Sequence, residues 1–190
     1  MQRAWLVVLT LAILSLLTGC APKPATDTGS TPPSATPQGS GMAPEAAKTF
    51  TIGMSQCNRG EPWRVQMDED IKTAAAEHPE LEVIFKDAQN KTEQQQAQVR
   101  EFISQGVDLI IISPKEALPL TKPVDEAMAA SIPVIVLDRK IEGDNYTCFI
   151  GGDNVLIGRE AGKYMVELLG GKGKIVELQG LATSTPAGER

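Results

Sequence analysis

The chain has 190 residues, 42% of them hydrophobic, with a formal net charge of −6 at pH 7. That charge argues against the basic face that nucleic-acid binding requires, so no nucleic-acid partner is expected. The sequence holds one histidine and no GxSxG, HExxH or complete Walker A motif, so we expect neither a catalytic residue nor a cofactor or metal.

The first 19 residues are typical of a secretion signal. They carry one charge, Arg3, followed by an apolar run over residues 4–9 that continues to residue 17. The run ends in Leu17-Thr18-Gly19-Cys20, which resembles the bacterial lipobox, in which the cysteine is diacylated and becomes the new N-terminus. We therefore expect lipidation at Cys20 and an exported, membrane-anchored protein. The acyl chains would hold it at the membrane, because each acyl-chain methylene buried in the bilayer contributes about 0.8 kcal/mol to binding. The alternative is ordinary cleavage beside a coincidental cysteine.

Residues 20–48 are rich in Pro, Thr, Ser, Gly and Ala and show no apolar period. Such a segment cannot bury enough surface to offset its ordering entropy, so it is predicted to be a disordered, lipid-anchored linker. Beyond it, Cys57 and Cys148 have no metal-binding spacing. The sequence leaves two alternatives for this pair: a disulfide between Cys57 and Cys148, or two buried free thiols.

From residue 49 the sequence alternates between strand and helix periods. This predicts an α/β fold, a parallel sheet flanked by helices in three layers with right-handed crossovers. The predicted strands of a first lobe, residues 49–150, include residues 50–54, 81–85, 107–112 and 132–137. One predicted helix opens at Pro62 with apolar positions at helical spacing: Trp63, Met67, Ile71, Ala74 and Ala75.

Two further helices complete this lobe. The first runs from about Thr92, with Gly106 as a left-handed cap just past its end. The second spans residues 120–130, and Pro123 is expected only in its first turn, where the missing N–H does no harm.

The segment 132–139, IPVIVLDR, is a short apolar run that ends abruptly in an acid and a base. In an open parallel sheet, ligands bind beyond the carboxyl ends of the strands. Asp138 can accept and Arg139 can donate hydrogen bonds, which suits a polyhydroxylated ligand whose hydroxyls do both. The alternative is a surface ion pair that caps a strand.

Residues 151–190 are predicted to begin a second lobe. A short strand over 146–150 leads to a helix capped by Asp153 or Asn154 and ended by Gly170 and Gly171, and residues 174–178 form another strand. One strand and one helix cannot bury a second core, so we expect the sequence to be a C-terminally truncated fragment with the second lobe incomplete.

Six motifs, weak one by one, form a strong pattern in their order and spacing: Pro62-Trp63-Arg64, Ile112-Ser113-Pro114, Val136-Leu137-Asp138-Arg139, Gly152-Asp153-Asn154 with Gly158, Val176-Glu177-Leu178-Gln179-Gly180 and Ala187-Gly188-Glu189-Arg190. With them the chain resembles the periplasmic sugar-binding proteins of ABC transporters, of the ribose- and galactofuranose-binding type. The resemblance covers the folded chain but about half of a family member's length. It implies the type I periplasmic-binding-protein fold, in which two lobes close over one sugar.

The resemblance also implies a ligand set, with Trp63 stacking on the sugar face. An aromatic platform buries the C–H face of a sugar and leaves its edges for hydrogen bonds; the alternative for this residue is core packing. Arg64, where ribose binders carry a second aromatic, points away from ribose and towards the galactofuranose type. The implied ligand-binding residues are Glu61, Trp63, Arg64, Ser113, Asp138, Arg139 and Arg190, with Asp153 and Asn154 as helix cap or hinge.

The implied function is that of a monomeric solute-binding component that delivers a sugar to an ABC permease and its ATPase. A periplasmic sensor subunit for a chemoreceptor or histidine kinase is the alternative. A lipid-anchored carbohydrate-active enzyme is less favoured. A transcriptional regulator of the same fold would need an N-terminal helix-turn-helix where the signal and linker stand.

Overall fold

The computed structural model describes residues 48–190 of the chain. The predicted signal peptide, the lipidation site Cys20 and all but the last residue of the predicted linker lie outside the described residues. Between residues 48 and 190, no helix is both long enough and apolar enough to cross a bilayer.

The described chain alternates strands with helices and folds around one parallel sheet. The elements are β1 (Phe50–Gln56), α1 (Pro62–Ala76), β2 (Leu81–Asp87), α2 (Thr92–Gln105), β3 (Leu109–Ser113), α3 (Ala117–Ala129), β4 (Val134–Leu137), β5 (Cys148–Ile150), α4 (Asn154–Leu168) and α5 (Thr185–Glu189). The strands pair in the order β2-β1-β3-β4-β5, every pair parallel. The predicted α/β fold with a parallel sheet is confirmed.

The strand order places helices on both faces of the sheet. The chain moves one way from β1 to β2 and the other way from β2 through β3 to β4, so right-handed crossovers put α1 on one face and α2 and α3 on the other. The direction reverses between β1 and β3, whose last residues, Gln56 and Ser113, are in register. The carboxyl edge at this switch point is where open α/β sheets bind ligands.

The core lies between the sheet and the α2/α3 face. Its fully buried side chains come from α2, β3, α3 and β4: Val99, Phe102, Ile110, Ile112, Leu120, Val124, Ala127, Val134 and Val136. A Cβ at Gly53 would lie 2.5 Å from the Phe102 ring, so only glycine lets α2 pack this closely on β1. This packing holds the carboxyl edge in a fixed geometry.

Gly106 ends α2 with φ of 66°, which confirms the predicted left-handed cap. The predictions for α3 are wrong in two respects. The helix begins at Ala117 rather than at residue 120, and Pro123 lies in its interior rather than in its first turn. The interior proline is tolerated because the Pro119 carbonyl, which Pro123 cannot satisfy, accepts a hydrogen bond from Gln96 Nε2 at 2.6 Å.

Beyond β5 the sequence prediction is partly confirmed. Helix α4 has the predicted bounds, and Gly170 and Gly171 follow it with φ of 60° and 87°. The strand predicted over 174–178 is wrong. Residues 173–181 have no regular structure in the described chain, where no neighbouring strand pairs with them, and Leu178 is 93% exposed.

Both cysteines of the described chain are free thiols. Cys57 directly follows β1 and is buried, and burial raises the pKa of its thiol. Cys148 opens β5 and is exposed, so the expectation of two buried thiols is wrong for it. The two strands are three positions apart in the sheet, about 14 Å at the usual spacing, which is beyond the reach of a disulfide.

Candidate functional site

The sheet brings most of the predicted site residues to one edge. Glu61 is the N-cap of α1, directly after the β1 loop, and Ser113 is the last residue of β3. Asp138 and Arg139 follow β4 immediately. Because these strands are parallel, their carboxyl ends meet on the same edge, as the sequence predicted.

A cleft of about 400 Å³ opens above this edge. Its lining consists of Glu61, Trp63, Arg64, Asp138, Arg139, Pro186 and Arg190. Six predicted ligand-binding residues therefore meet in one cavity. Ser113 does not line it, because its side chain is fully buried below the cleft.

Arg64 forms the floor of the cleft and is only 1% exposed. Its Nε donates to Glu61 Oε2 at 3.2 Å, while Nη1 donates to Gln56 Oε1 at 3.0 Å and to Ser113 Oγ at 2.9 Å. Its Nη2 lies 3.5 Å from Asp138 Oδ2 and carries a second N–H that can donate to a ligand. The side chain therefore crosses the ends of β1, β3 and β4 and directs Nη2 to the cleft side.

Trp63 stands beside Arg64 at the start of α1 and is 66% exposed. The alternative that Trp63 packs into the core with the apolar face of α1 is therefore wrong. The α1 residues that are buried are polar, Arg64 and Asp68. The indole contributes an apolar wall to an otherwise polar cleft.

Asp138 has a φ of 66°, in the left-handed region that residues with a side chain rarely adopt. The N–H of Arg139 donates to the carbonyl of Leu137 at 2.8 Å. This hydrogen bond closes a three-residue γ-turn centred on Asp138, of the strained kind in which the central residue has a positive φ. The Asp138 N–H is held at 2.8 Å by Ile150 O of β5. The turn leaves the carboxylate 23% exposed between Arg64 and the cleft. Backbone strain of this type is common at binding sites.

Two further arginines line the cleft. Arg139 Nη1 donates to the Lys115 carbonyl at 3.2 Å. Arg190 Nε donates to Asn154 Oδ1 at 2.9 Å, and Asn154 Nδ2 donates to Glu189 Oε2 at 3.0 Å. Arg139 Nε also lies 4.0 Å from Asp138 Oδ2. Each guanidinium still keeps further N–H donors for a ligand.

The two candidates for the cap of α4 have different roles. Asp153 is the N-cap, and its Oδ1 accepts from Leu156 N at 2.9 Å. Asn154 is not the cap, because it is the first helical residue and its side chain is turned inward to Glu189 and Arg190. Of the two predicted alternatives, Asp153 therefore caps the helix and Asn154 does not.

A polar layer below the cleft was not predicted from the sequence. Gln56 and Asp68 are each 1% exposed, and Gln56 Nε2 donates to Asp68 Oδ1 at 3.1 Å. Gln95 is also buried and donates from Nε2 to Ser113 O at 2.9 Å. One sequence signal for this layer was available. Gln95 lies at helical spacing from Val99 and Phe102, which predicts that its side chain is on the buried face of α2.

Burial raises the pKa of Asp68 above its ordinary range, while the Gln56 hydrogen bond and the charge of Arg59 act in the opposite direction. Arg59 Nε lies 2.9 Å from Asp68 Oδ2, in ion-pair contact but without hydrogen-bond geometry. Within residues 48–190, no three His, Cys, Asp or Glu side chains are grouped as a metal site would need.

A doubly wound parallel sheet with arginines, a carboxylate and an exposed indole at its switch point belongs to the class of type I periplasmic binding lobes. Residues 52–190 match the family described as "Periplasmic binding protein domain", and the chain belongs to that family.

Two curated relatives are named as sugar-binding proteins. The ribose import binding protein of Bacillus subtilis is 33% identical over 190 residues, which is 100% of this chain and 58% of that protein. The galactofuranose-binding protein of Escherichia coli is 34% identical over 148 residues, 76% of this chain and 46% of its own length. The chain thus spans about half the length of the curated relatives it matches.

Solved structures agree with this assignment. The fructose-binding periplasmic domain of a hybrid two-component system has 46% identity and a TM-score of 0.72, covering 74% of this chain and 46% of that chain. The binding component of the arabinose ABC transporter from Shewanella sp. ANA-3, bound to L-arabinofuranose, has 36% identity and a TM-score of 0.68, covering 74% and 47%. The predicted type I fold and the sugar-binding periplasmic family are confirmed.

Proposed function

We propose that the chain is the sugar-capturing part of an ABC-type importer and that its cleft binds a monosaccharide or small saccharide. The observation that carries this proposal is the lining of the cleft, where an exposed indole stands beside three arginines and the carboxylates of Glu61 and Asp138. The names of the relatives, which bind ribose, galactofuranose and arabinofuranose, support the same ligand class.

The chemistry of the cleft matches a sugar on both its faces and its edges. The Trp63 indole covers the C–H face of a sugar ring. This apolar contact does not depend on one particular arrangement of the sugar hydroxyls. Asp138 accepts from hydroxyl hydrogens, and the free N–H groups of Arg64, Arg139 and Arg190 donate to hydroxyl oxygens. Ser113 acts indirectly, by holding Nη1 of Arg64.

In transport, the protein first binds the sugar and then transfers it to a membrane permease. In the complete protein a second lobe closes over the bound sugar, because only the closed state makes both sets of contacts. The closed monomer then delivers the sugar to a membrane permease and its ATPase. Residues 20–48 act as a linker, and the lipidated Cys20 holds the exported protein at the membrane.

A thermal-shift screen of the complete protein tests the ligand class. D-ribose, L-arabinose, D-galactose, D-fructose and myo-inositol are the probes. A sugar present at 100 times its Kd should add about 2.7 kcal/mol of stability. Calorimetry on Asp138→Asn, which removes the carboxylate and tolerates a positive φ, should then show loss of binding with the fold retained. No stabilisation by any of the five, or unchanged affinity in the variant, would contradict the proposal.

A periplasmic sensor subunit is the second candidate. The 46% identity to the fructose-binding periplasmic domain of a hybrid two-component system favours it specifically. The neighbouring genes separate the two functions, since an importer is encoded beside a permease and an ATPase and a sensor beside a histidine kinase or chemoreceptor.

A further inference from the structure

A chain of buried polar contacts runs from the protein surface to the cleft floor. Arg59, with a half-exposed side chain, is paired with Asp68 Oδ2 at 2.9 Å. Asp68 Oδ1 accepts from Gln56 Nε2 at 3.1 Å, and Gln56 Oε1 accepts from Arg64 Nη1 at 3.0 Å. Neither Gln56 nor Asp68 lines the cleft.

The chemistry of the three linked groups fixes the orientation of the amide. A carboxylate only accepts hydrogen bonds and a guanidinium only donates them. An amide between Asp68 and Arg64 must therefore turn its NH₂ to the former and its oxygen to the latter. Gln56 Oε1 also accepts from the Cys57 N–H at 3.2 Å, which reinforces the same orientation.

The amide in turn fixes the guanidinium of Arg64. With Nη1 held by Gln56 and Ser113 and Nε held by Glu61, rotation about the last side-chain bonds is prevented. The nitrogen left to face the cleft is Nη2, beside Asp138. A polar site binds tightly when such donors are locked before the ligand arrives.

We propose that Asp68 and Gln56 are positioning residues that lock the Arg64 guanidinium and thereby set the sugar affinity of the cleft. This inference rests on the proposed function, because it assigns the supporting residues of the same site. Packing alone does not require these groups, since an apolar pair of similar volume would fill the space without desolvating a charge.

Calorimetry on the complete protein, with the sugar that stabilises it most in the screen above, provides the first test. Asp68 has one oxygen for Gln56 Nε2 and one for Arg59, whereas the asparagine of Asp68→Asn has a single oxygen, so one of the two contacts would then pair two donors. This weaker hold on the Gln56 amide should lower the affinity about tenfold, as expected for one hydrogen bond to a charged group. Asp70→Asn is the matched control, an exposed carboxylate on the same helix that binds Gln66, and its affinity should equal that of the wild type.

The double variant Gln56→Glu/Asp68→Asn gives the rescue. The carboxylate at position 56 then accepts from Arg64 and from the amide placed at position 68, so affinity should return to within about threefold of the wild type. Equal affinity in Asp68→Asn and Asp70→Asn, or a double variant as weak as Asp68→Asn, would overturn the proposal. If Asp68→Asn fails to fold, the double variant decides by comparison with the wild type: an affinity within about threefold supports the positioning role, and a loss of about tenfold or more overturns it.

A ligand-free readout separates this proposal from the proposed function. In ¹⁵N NMR spectra of the protein without sugar, the Nη hydrogens of a locked Arg64 should be resolved in the wild type and the double variant and averaged in Asp68→Asn. If no sugar binds to the wild type, the proposed function fails while these spectra still decide the positioning role. Identical Arg64 signals in all three proteins would overturn it.

Discussion

Gln96 of α2 donates from Nε2 to the carbonyl oxygen of Pro119 in α3 at 2.6 Å. In a regular helix that carbonyl would accept from the N–H of residue 123, which is a proline and has none. One side chain of α2 therefore replaces a backbone hydrogen bond of its neighbour. This contact also fixes α3 against α2 beside the loop that carries Lys115.

Removing the substitute hydrogen bond should destabilise the fold. We expect Gln96→Ala to lower the free energy of unfolding by about 1 to 2 kcal/mol, since it leaves the Pro119 carbonyl unpaired. In a Pro123→Ala background, the restored backbone N–H should make the same substitution nearly neutral. Urea titrations of the four proteins of this cycle measure the coupling. An equal loss in both backgrounds would contradict this explanation of Pro123.

The same pair of helices marks how far sequence patterns predict this fold. Strand and helix periods predicted the strands β1 to β4, and a glycine at the end of a helical period predicted the left-handed Gly106. The start of α3 and its interior proline could not be predicted, because both depend on contacts from elsewhere in the chain. Gln96 is distant in sequence from Pro119, and no local period relates them.

Asp138 combines a strained backbone with a carboxylate that faces the cleft, and three substitutions separate the two. Asp138→Asn should keep the stability, because asparagine tolerates the left-handed region, and should weaken sugar binding by at least tenfold. Asp138→Gly should also weaken binding without a large loss of stability, because glycine adopts positive φ freely. Asp138→Ala should lose binding and about 1 kcal/mol of stability. Thermal unfolding and calorimetry on the same samples provide both quantities, and equal stabilities of the alanine and glycine variants would refute the strain.

The candidate site was predictable to the extent that it follows the strand ends. Asp138 and Arg139 come directly after an apolar run, and such positions meet at one edge of a parallel sheet. The burial of Arg64 was not predictable, since an arginine near a helix start is usually solvated. Its environment depends on Gln56, Ser113 and Asp138, which the fold alone brings together.

Glu116, the N-cap of α3, makes the stability of the fold depend on pH. Hydrogen bonds from the Thr92 and Thr183 hydroxyls hold the pKa of its carboxyl below the ordinary value of 4.5. The unfolded state therefore binds the proton more readily, so this stabilisation is fully present above about pH 4.5 and is lost as the pH falls through the lower, folded-state pKa.

Glu116→Gln should accordingly lower the free energy of unfolding at pH 7 by about 2 kcal/mol, the usual size for hydrogen bonds to a charged group. The loss should shrink when unfolding is measured at progressively lower pH. Glu77→Gln, at the exposed end of α1, is the charge-matched control and should change little at any pH. A loss for Glu116→Gln that stays constant down to pH 3 would rule out this linkage.

Two glycines of α4, one turn apart, provide a matched test of how Arg190 is held at the cleft. A Cβ at Gly158 would lie 2.2 Å from the Arg190 carbonyl oxygen, whereas a Cβ at Gly162 meets nothing within 4 Å. Gly158→Ala should therefore displace Arg190, break its bond to Asn154 and weaken sugar binding by about tenfold. Gly162→Ala should leave affinity unchanged and add about 0.5 to 1 kcal/mol of stability, as alanine does in an open helix position. Equal affinities of the two variants in calorimetry would mean that the close approach of α4 does not position Arg190 for the ligand.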